Sequence, residues 1–267
     1  MTLEGLDTGY EGKFDFAPYP GPPQVAYLLA SVPRSGSSWF SHILWQTGCL
    51  GAPIEYLNFE PASPYGFAAT SPEAQLQLWR SALARRTSPN GVFGLKGFQM
   101  QLQVLQHTNP PLLGEVLATL LPRGRPKRIV YLARRDRAAH VVSLARATLS
   151  GIWRKEQERM QGAPRPLEYS QENLDAAERG IVLQETRWEQ MFQDLRVEPL
   201  RLWFEDAMAD PAEAARRVAD YLGARIDPAA AVQVPQVEKQ SVGEAPVWIE
   251  KYARSRGTGE GGPVRPE

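Results

Sequence analysis

The sequence is poor in the residues that usually announce metal, redox or membrane chemistry. It has one cysteine, Cys49, in 267 residues. A single cysteine allows no intrachain disulfide and no CxxC pair. Only three histidines are present, so a His/Cys-built transition-metal centre has few ligands to draw on, and no bound metal is expected. Net charge is also missing: 30 Lys+Arg balance 30 Asp+Glu, so no global field points to a nucleic-acid partner or an acidic membrane. No stretch approaches the roughly 20 apolar residues that span a bilayer. The opening MTLEGLDTGYEGKFDFAPYPGPP lacks the basic segment and apolar core of a secretory signal. The expectation is a soluble, cytoplasmic protein.

What is present is an alternation of short apolar runs and helical patterns. VAYLLAS (25–31), the strand in NGVFGLKGF, KRIVYLARR (127–135) and the strand within VEPLRLWFED have strand length. Between them lie helical segments. SSWFSHILWQTGCL closes near Gly48, PEAQLQLWRSALARR spans 72–86, and Leu112 to Leu121 forms another. A long helix is expected over RDRAAHVVSLARATLSGIWRKEQERM, then QENLDAAERGIVLQETRWEQMFQDL and DPAEAARRVADYLGA. Strands separated by helices predict an α/β fold with a central, mainly parallel sheet and helices on both faces. Three parts are expected: an irregular arm over 1–24, one domain over 25–255, and a flexible tail over 256–267.

In such sheets ligands sit at the carboxyl ends of the strands. Three features fall there: the loop PRSGSSW (33–39), Lys96, and the pair Arg134/Arg135. The loop is shaped for an anion. A helix starting near Ser37 aims backbone N–H groups and its positive dipole end at one point. Gly36 allows close backbone approach. Ser35, Ser37 and Ser38 supply hydroxyls, and the Arg34 fork matches phosphate or sulfate oxygens. The ATP-loop pattern G-x-x-x-x-G-K-[ST] is absent. Trp39 has two readings, a core residue or a face for a purine. Charge is local too: residues 121–160 hold 11 Lys/Arg against Asp136, Glu156 and Glu158, either a solvated face or the wall of an anion site.

PRSGSSW resembles the phosphosulfate-binding loop of sulfotransferases that use 3′-phosphoadenosine 5′-phosphosulfate (PAPS). A strand ending at Arg134, followed by a helix carrying Ser143, resembles their second signature. The spacing, with Asp136 and Arg146, is similar to the bacterial carbohydrate sulfotransferases of the trehalose group. TGCLGAPIEYL (47–57), NGVFGLKGF and EKQSVGEAPVWIEKY (238–252) extend the resemblance over roughly residues 25–255.

The resemblance implies a P-loop-like three-layer α/β/α domain with helical insertions, and PAPS as co-substrate without a metal. It implies a carbohydrate or related small-molecule acceptor, and a homodimer is one expected assembly. It assigns the 5′-phosphosulfate to Arg34 and residues 35–38, and the 3′-phosphate to Arg134, Ser143 and Arg146. Lys239 and Gln240 fall in a ligand-covering segment. Glu55 becomes the general base, with Lys96 on the transferring sulfate or the acceptor. The pattern departs at Ala52, where the trehalose enzymes carry a second carboxylate, so trehalose itself is not implied. Two alternatives stand beside this reading: a P-loop-type kinase, and a non-catalytic nucleotide-binding module on the same fold.

Overall fold

The computed structural model describes residues 7–60, 63, 69–154, 166–235 and 243–257. These residues form two compact units. The first lies within 1–135 and 183–237, the second within 136–182 and 238–267.

The first unit is built on four strands: β1 (Val25–Ser31), β2 (Val92–Gly97), β3 (Arg128–Ala133) and β4 (Leu200–Trp203). Their order is β2-β1-β3-β4, and every pairing is parallel. Leu29 lies beside Lys96, Ala30 beside Tyr131, and Ala133 beside Trp203. All four carboxyl ends therefore share one edge. Helices α1 (Ser37–Gln46), α2 (Pro72–Arg86), α3 (Gln99–Thr108) and α4 (Pro110–Leu120) follow the first two strands.

Both faces of the sheet are covered, as the continuous burial of β1 and β2 requires. Tyr27, Leu29, Val130, Leu132 and Leu202 form one core cluster with Phe40 and Leu44 of α1. On the opposite side of β3, Tyr131 meets Phe192 edge-on, and Phe192 stacks on Trp188. The Trp188 indole N–H donates to the Ser31 carbonyl at 2.9 Å.

Over its described residues, 7–24, the arm is irregular apart from one 3-10 turn at Gly12–Phe14. A buried cation holds it. Arg86, 2% exposed, pairs with Asp15 at 2.9 Å and donates to the carbonyls of Gly9 and Glu11.

In the second unit, α5 (Arg137–Ser150) starts at Asp136, whose side chain caps the Ala139 N–H at 2.9 Å. The expected run of this helix to Met160 is corrected by the structure. It stops at Ser150 because Gly151 turns into the left-handed region, φ 68; residues 155–165 lie outside the described set. Helix α6 (Gln171–Leu195) begins in this unit and continues into the first. The first unit ends with α7 (Phe204–Ala209), directly after β4, and α8 (Pro211–Leu222), which packs Val218 and Leu222 into the core cluster. The last described element, α9 (Ala245–Gly257), belongs to the second unit. It buries Trp248 and Tyr252, set edge-on to Tyr169 and held by Arg256. Residues 258–267, most of the expected tail, lie outside the described set. No helix among the described residues is long and apolar enough to cross a membrane.

Candidate active site

The loop between β1 and α1 is set by two left-handed residues. Gly36, the N-cap of α1, has φ 87, and Arg34, which carries a side chain, has φ 69. A non-glycine residue there is strained, and such strain persists only where the surroundings impose it. The reason for glycine at 36 is now visible. A Cβ would lie 2.1 Å from the ring of Phe204, the first residue of α7. Phe204 roofs the loop. Trp39 meets it edge-on at 5.9 Å, and the Arg134 guanidinium sits 5.5 Å from its ring centre. Trp39 is half-buried against the core cluster.

The loop retains unspent polarity. Ser35 is fully buried, and among the described residues its hydroxyl has no hydrogen-bond partner. A buried orphan hydroxyl is costly, and an anion in the loop would satisfy it. Arg134, just past β3, donates to the Arg34 carbonyl at 3.2 Å. Burial, and then the Arg134 charge, push the Arg34 guanidinium down to about 10. An anion between the two would relieve both effects.

Glu55 is brought to the same edge. The segment after α1 runs along β2, where the Lys96 N–H donates to the Ile54 carbonyl at 3.1 Å. Glu55 is thereby set beside the side chain of Lys96. Lys96 Nζ lies 2.6 Å from Glu55 Oε1 and 2.7 Å from Ser38 Oγ. Both charges are buried, Lys96 to 2% and Glu55 to 7% exposure. The other carboxylate oxygen, Oε2, accepts from Asn58 at 3.2 Å and from Gln101 at 3.1 Å. From the arm, the Tyr10 hydroxyl donates to the Glu55 carbonyl at 3.4 Å. A carboxylate, an ammonium and a loop hydroxyl in series can take a proton at one end and meet an anion at the other.

The first unit thus gathers Arg34, Ser35, Gly36, Ser37, Ser38, Trp39, Glu55, Lys96 and Arg134. Ser143 and Arg146 stand one turn apart on α5 of the second unit, where the Arg146 guanidinium lies over Trp248 at 5.2 Å. Lys239 and Gln240 lie outside the described residues. Arg135, the second arginine at the end of β3, is held in an ion pair by Asp206 and over Trp203. His42 sits inside α1, its ring nitrogen 2.7 Å from the Ser38 carbonyl. Tyr56 and Trp79 are core: both are fully buried against Phe93. Among the described residues no group of three or more His, Cys, Asp or Glu is placed to hold a metal.

Sequence reasoning missed Phe204, Gln101 and Asn58. Only the general rule that strand ends carry function points to Phe204. Nothing local marks the other two.

The family model "Stf0 sulphotransferase" matches residues 26–255. The chain is 26% identical over 261 residues to trehalose 2-sulfotransferase of Mycobacterium tuberculosis, covering 85% of this chain and 93% of that one. It is 25% identical over 263 residues to trehalose 2-sulfotransferase of Mycolicibacterium smegmatis, covering 86% and 95%. Among solved structures, retinol dehydratase in complex with retinol and PAP aligns over 92% of this chain and 84% of that chain. That pair is 16% identical with a TM-score of 0.42, too distant a likeness to carry a functional argument.

Proposed function

The chain belongs to the Stf0 sulphotransferase family and is a PAPS-dependent sulfotransferase; on that premise we propose that it transfers the sulfuryl group to a hydroxyl of a carbohydrate, glycolipid or related small metabolite, with Glu55 as the general base that takes the hydroxyl proton. The observation that carries this reading is the buried series Glu55–Lys96–Ser38, which runs from a carboxylate to the hydroxyl of the anion loop.

In the proposed step the acceptor hydroxyl gives its proton to a Glu55 oxygen as its own oxygen bonds to sulfur. The bond from sulfur to the 5′-phosphate oxygen breaks in line with it, and the electron pair stays on the departing phosphate. Arg34 and the amides of residues 35–38 take up that growing charge, with the orphan Ser35 hydroxyl as a further donor. Lys96 is poised to lean from Glu55 toward the sulfuryl oxygens. Arg134 is assigned to the 3′-phosphate, and Ser143 and Arg146 join it on the sequence signature. Trp39 is read as a flank of the nucleotide site, and Lys239 and Gln240 as part of its cover. Residues 25–255 are taken as one catalytic domain acting in the cytoplasm, and a homodimer is one assembly open to it.

The relatives' names favour a carbohydrate acceptor. Trehalose is not the acceptor proposed, because Ala52, fully buried, stands where the trehalose enzymes carry a carboxylate. Incubation of the protein with sulfur-labelled PAPS and a panel of trehalose, other sugars, glycolipids and an extract of the source cells tests this. The expected result is label on a carbohydrate hydroxyl other than those of trehalose. Transfer of phosphate from labelled ATP, with none of sulfate from PAPS, would return the kinase alternative.

A further inference from the structure

Glu55 acts as a base only if one oxygen is presented to the acceptor while the other is held, and its carboxylate is gripped unequally. Oε1 faces a movable group, the Lys96 ammonium at 2.6 Å. Oε2 faces two amide N–H donors, Gln101 Nε2 at 3.1 Å and Asn58 Nδ2 at 3.2 Å.

Gln101 is the more constrained of the two donors. Its other polar side-chain atom, Oε1, accepts the Phe98 N–H at 3.1 Å and so caps the start of α3. An amide with its oxygen committed to a helix cap has its NH2 group oriented by that commitment. The cap therefore fixes which way Gln101 points, and Gln101 in turn fixes Glu55. The turn from β2 to α3 supplies both grips, Lys96 on one carboxylate oxygen and Gln101 on the other.

We infer that Gln101 is a positioning residue for the base. Through its cap-locked amide it anchors Oε2, keeps the carboxylate charged, and leaves Oε1 as the proton-accepting oxygen. Asn58 supports it from the loop that carries Glu55. The inference rests on Glu55 being the base. The groups facing that carboxylate include the charged Lys96 of β2, the neutral amides of Gln101 on α3 and Asn58, and Ser38 of α1 through Lys96; Tyr10 of the arm meets the Glu55 backbone.

The substitutions Gln101→Glu and Gln101→Met together separate anchoring from folding. A glutamate at the third helical position can still accept the Phe98 N–H, so the cap survives, but it sets a second carboxylate beside Glu55, which raises that carboxyl by repulsion as well as by the lost N–H; the neutral Gln101→Met therefore reads the anchoring, and Gln101→Glu reads the cap. Gln101→Met removes both the cap acceptor and the donor. A hydrogen bond to a charged group is worth roughly 1.5–3 kcal/mol, or about one to two pH units in a carboxyl titration. The experiment follows the Glu55 side-chain carboxyl by carbon NMR through a pH titration of the carbon-13 glutamate-labelled protein, the resonance assigned by its loss in Glu55→Gln.

The inference predicts that both Gln101 variants move the Glu55 midpoint up by at least about one unit, with unchanged affinity for 3′-phosphoadenosine 5′-phosphate. Where an acceptor from the PAPS screen is used, the acid limb of the kcat profile moves up with that midpoint, while KM for PAPS is unchanged. A midpoint within a few tenths of wild type in Gln101→Met overturns the inference while leaving the base assignment intact. Full turnover by Glu55→Gln overturns the base assignment whatever Gln101 does. Should Gln101→Met fail to fold, the smaller neutral Gln101→Ala reads the same lost donor.

Discussion

Replacing Lys96 by methionine removes one end of the buried pair while keeping most of the volume of its stem. The remaining carboxylate side chain is only 9% exposed, and the lost ammonium lay 2.6 Å away. Breaking a buried pair by deleting one partner costs about 3–5 kcal/mol, because the surviving charge is uncompensated. The donors on Oε2 remain, so the lower end, about 3 kcal/mol, is expected.

The loss depends on pH with a definite sign. Without Lys96, burial disfavours the charged form of Glu55 and raises its folded-state pKa above the unfolded value of about 4.3. A carboxyl so raised contributes stability that is present below the unfolded pKa and is lost as pH rises through the folded one. The Lys96→Met protein should therefore lie closest to wild type near pH 5 and fall away toward pH 8. In the double variant with Glu55→Gln both charges are gone, and most of the loss should be recovered. Denaturant unfolding of the four proteins at both pH values, followed by tryptophan fluorescence, measures the cycle. A loss below about 1 kcal/mol at pH 8, or an equal loss with and without the Glu55 charge, would refute the buried pair as the element that holds this edge together.

Two further changes probe the loop and the nucleotide site. Gly36→Ala must adopt a left-handed φ, at roughly 1–2 kcal/mol, and must also push its Cβ into the Phe204 ring, at about 1–3 kcal/mol. In a Phe204→Ala background the second cost should vanish and the first remain, as unfolding midpoints will report; identical costs in both backgrounds would mean that the ring is not what excludes a side chain. Arg134→Ala should weaken binding of 3′-phosphoadenosine 5′-phosphate at least about 30-fold, corresponding to some 2 kcal/mol for a desolvated charge contact. Calorimetry with AMP as the comparison checks this, since AMP lacks the 3′-phosphate and should bind the variant and the wild type alike.

The parts of the molecule legible in the sequence are those with local signals. The limits of VAYLLAS and PEAQLQLWRSALARR coincide with β1 and α2 because an apolar run or a Pro start and a basic end act over a few residues. The loop, Lys96 and Arg134 could be placed at one edge because a parallel sheet puts the ends of its strands there.

What escaped is tertiary. Gln101 donates to a carboxylate 46 residues away, and α3, QMQLQVLQHT, has too little apolar pattern to announce itself. Phe204 reads as a residue following a strand, and only the folded chain lays it over Gly36. Arg86 reads as the basic end of a helix, yet it is the buried anchor of the arm. Asp136 was placed near a helix start, and its carboxylate proves to be the cap that begins α5.

Whether Glu55 takes the acceptor's proton is read by comparing donor binding with sulfate transfer in Glu55→Gln. Glutamine keeps the shape of the side chain and cannot act as the base. Wild-type affinity for 3′-phosphoadenosine 5′-phosphate by calorimetry is expected, together with a fall of about 10²–10⁴ in the rate of sulfate transfer from labelled PAPS. Wild-type turnover by the same protein would contradict that role for Glu55.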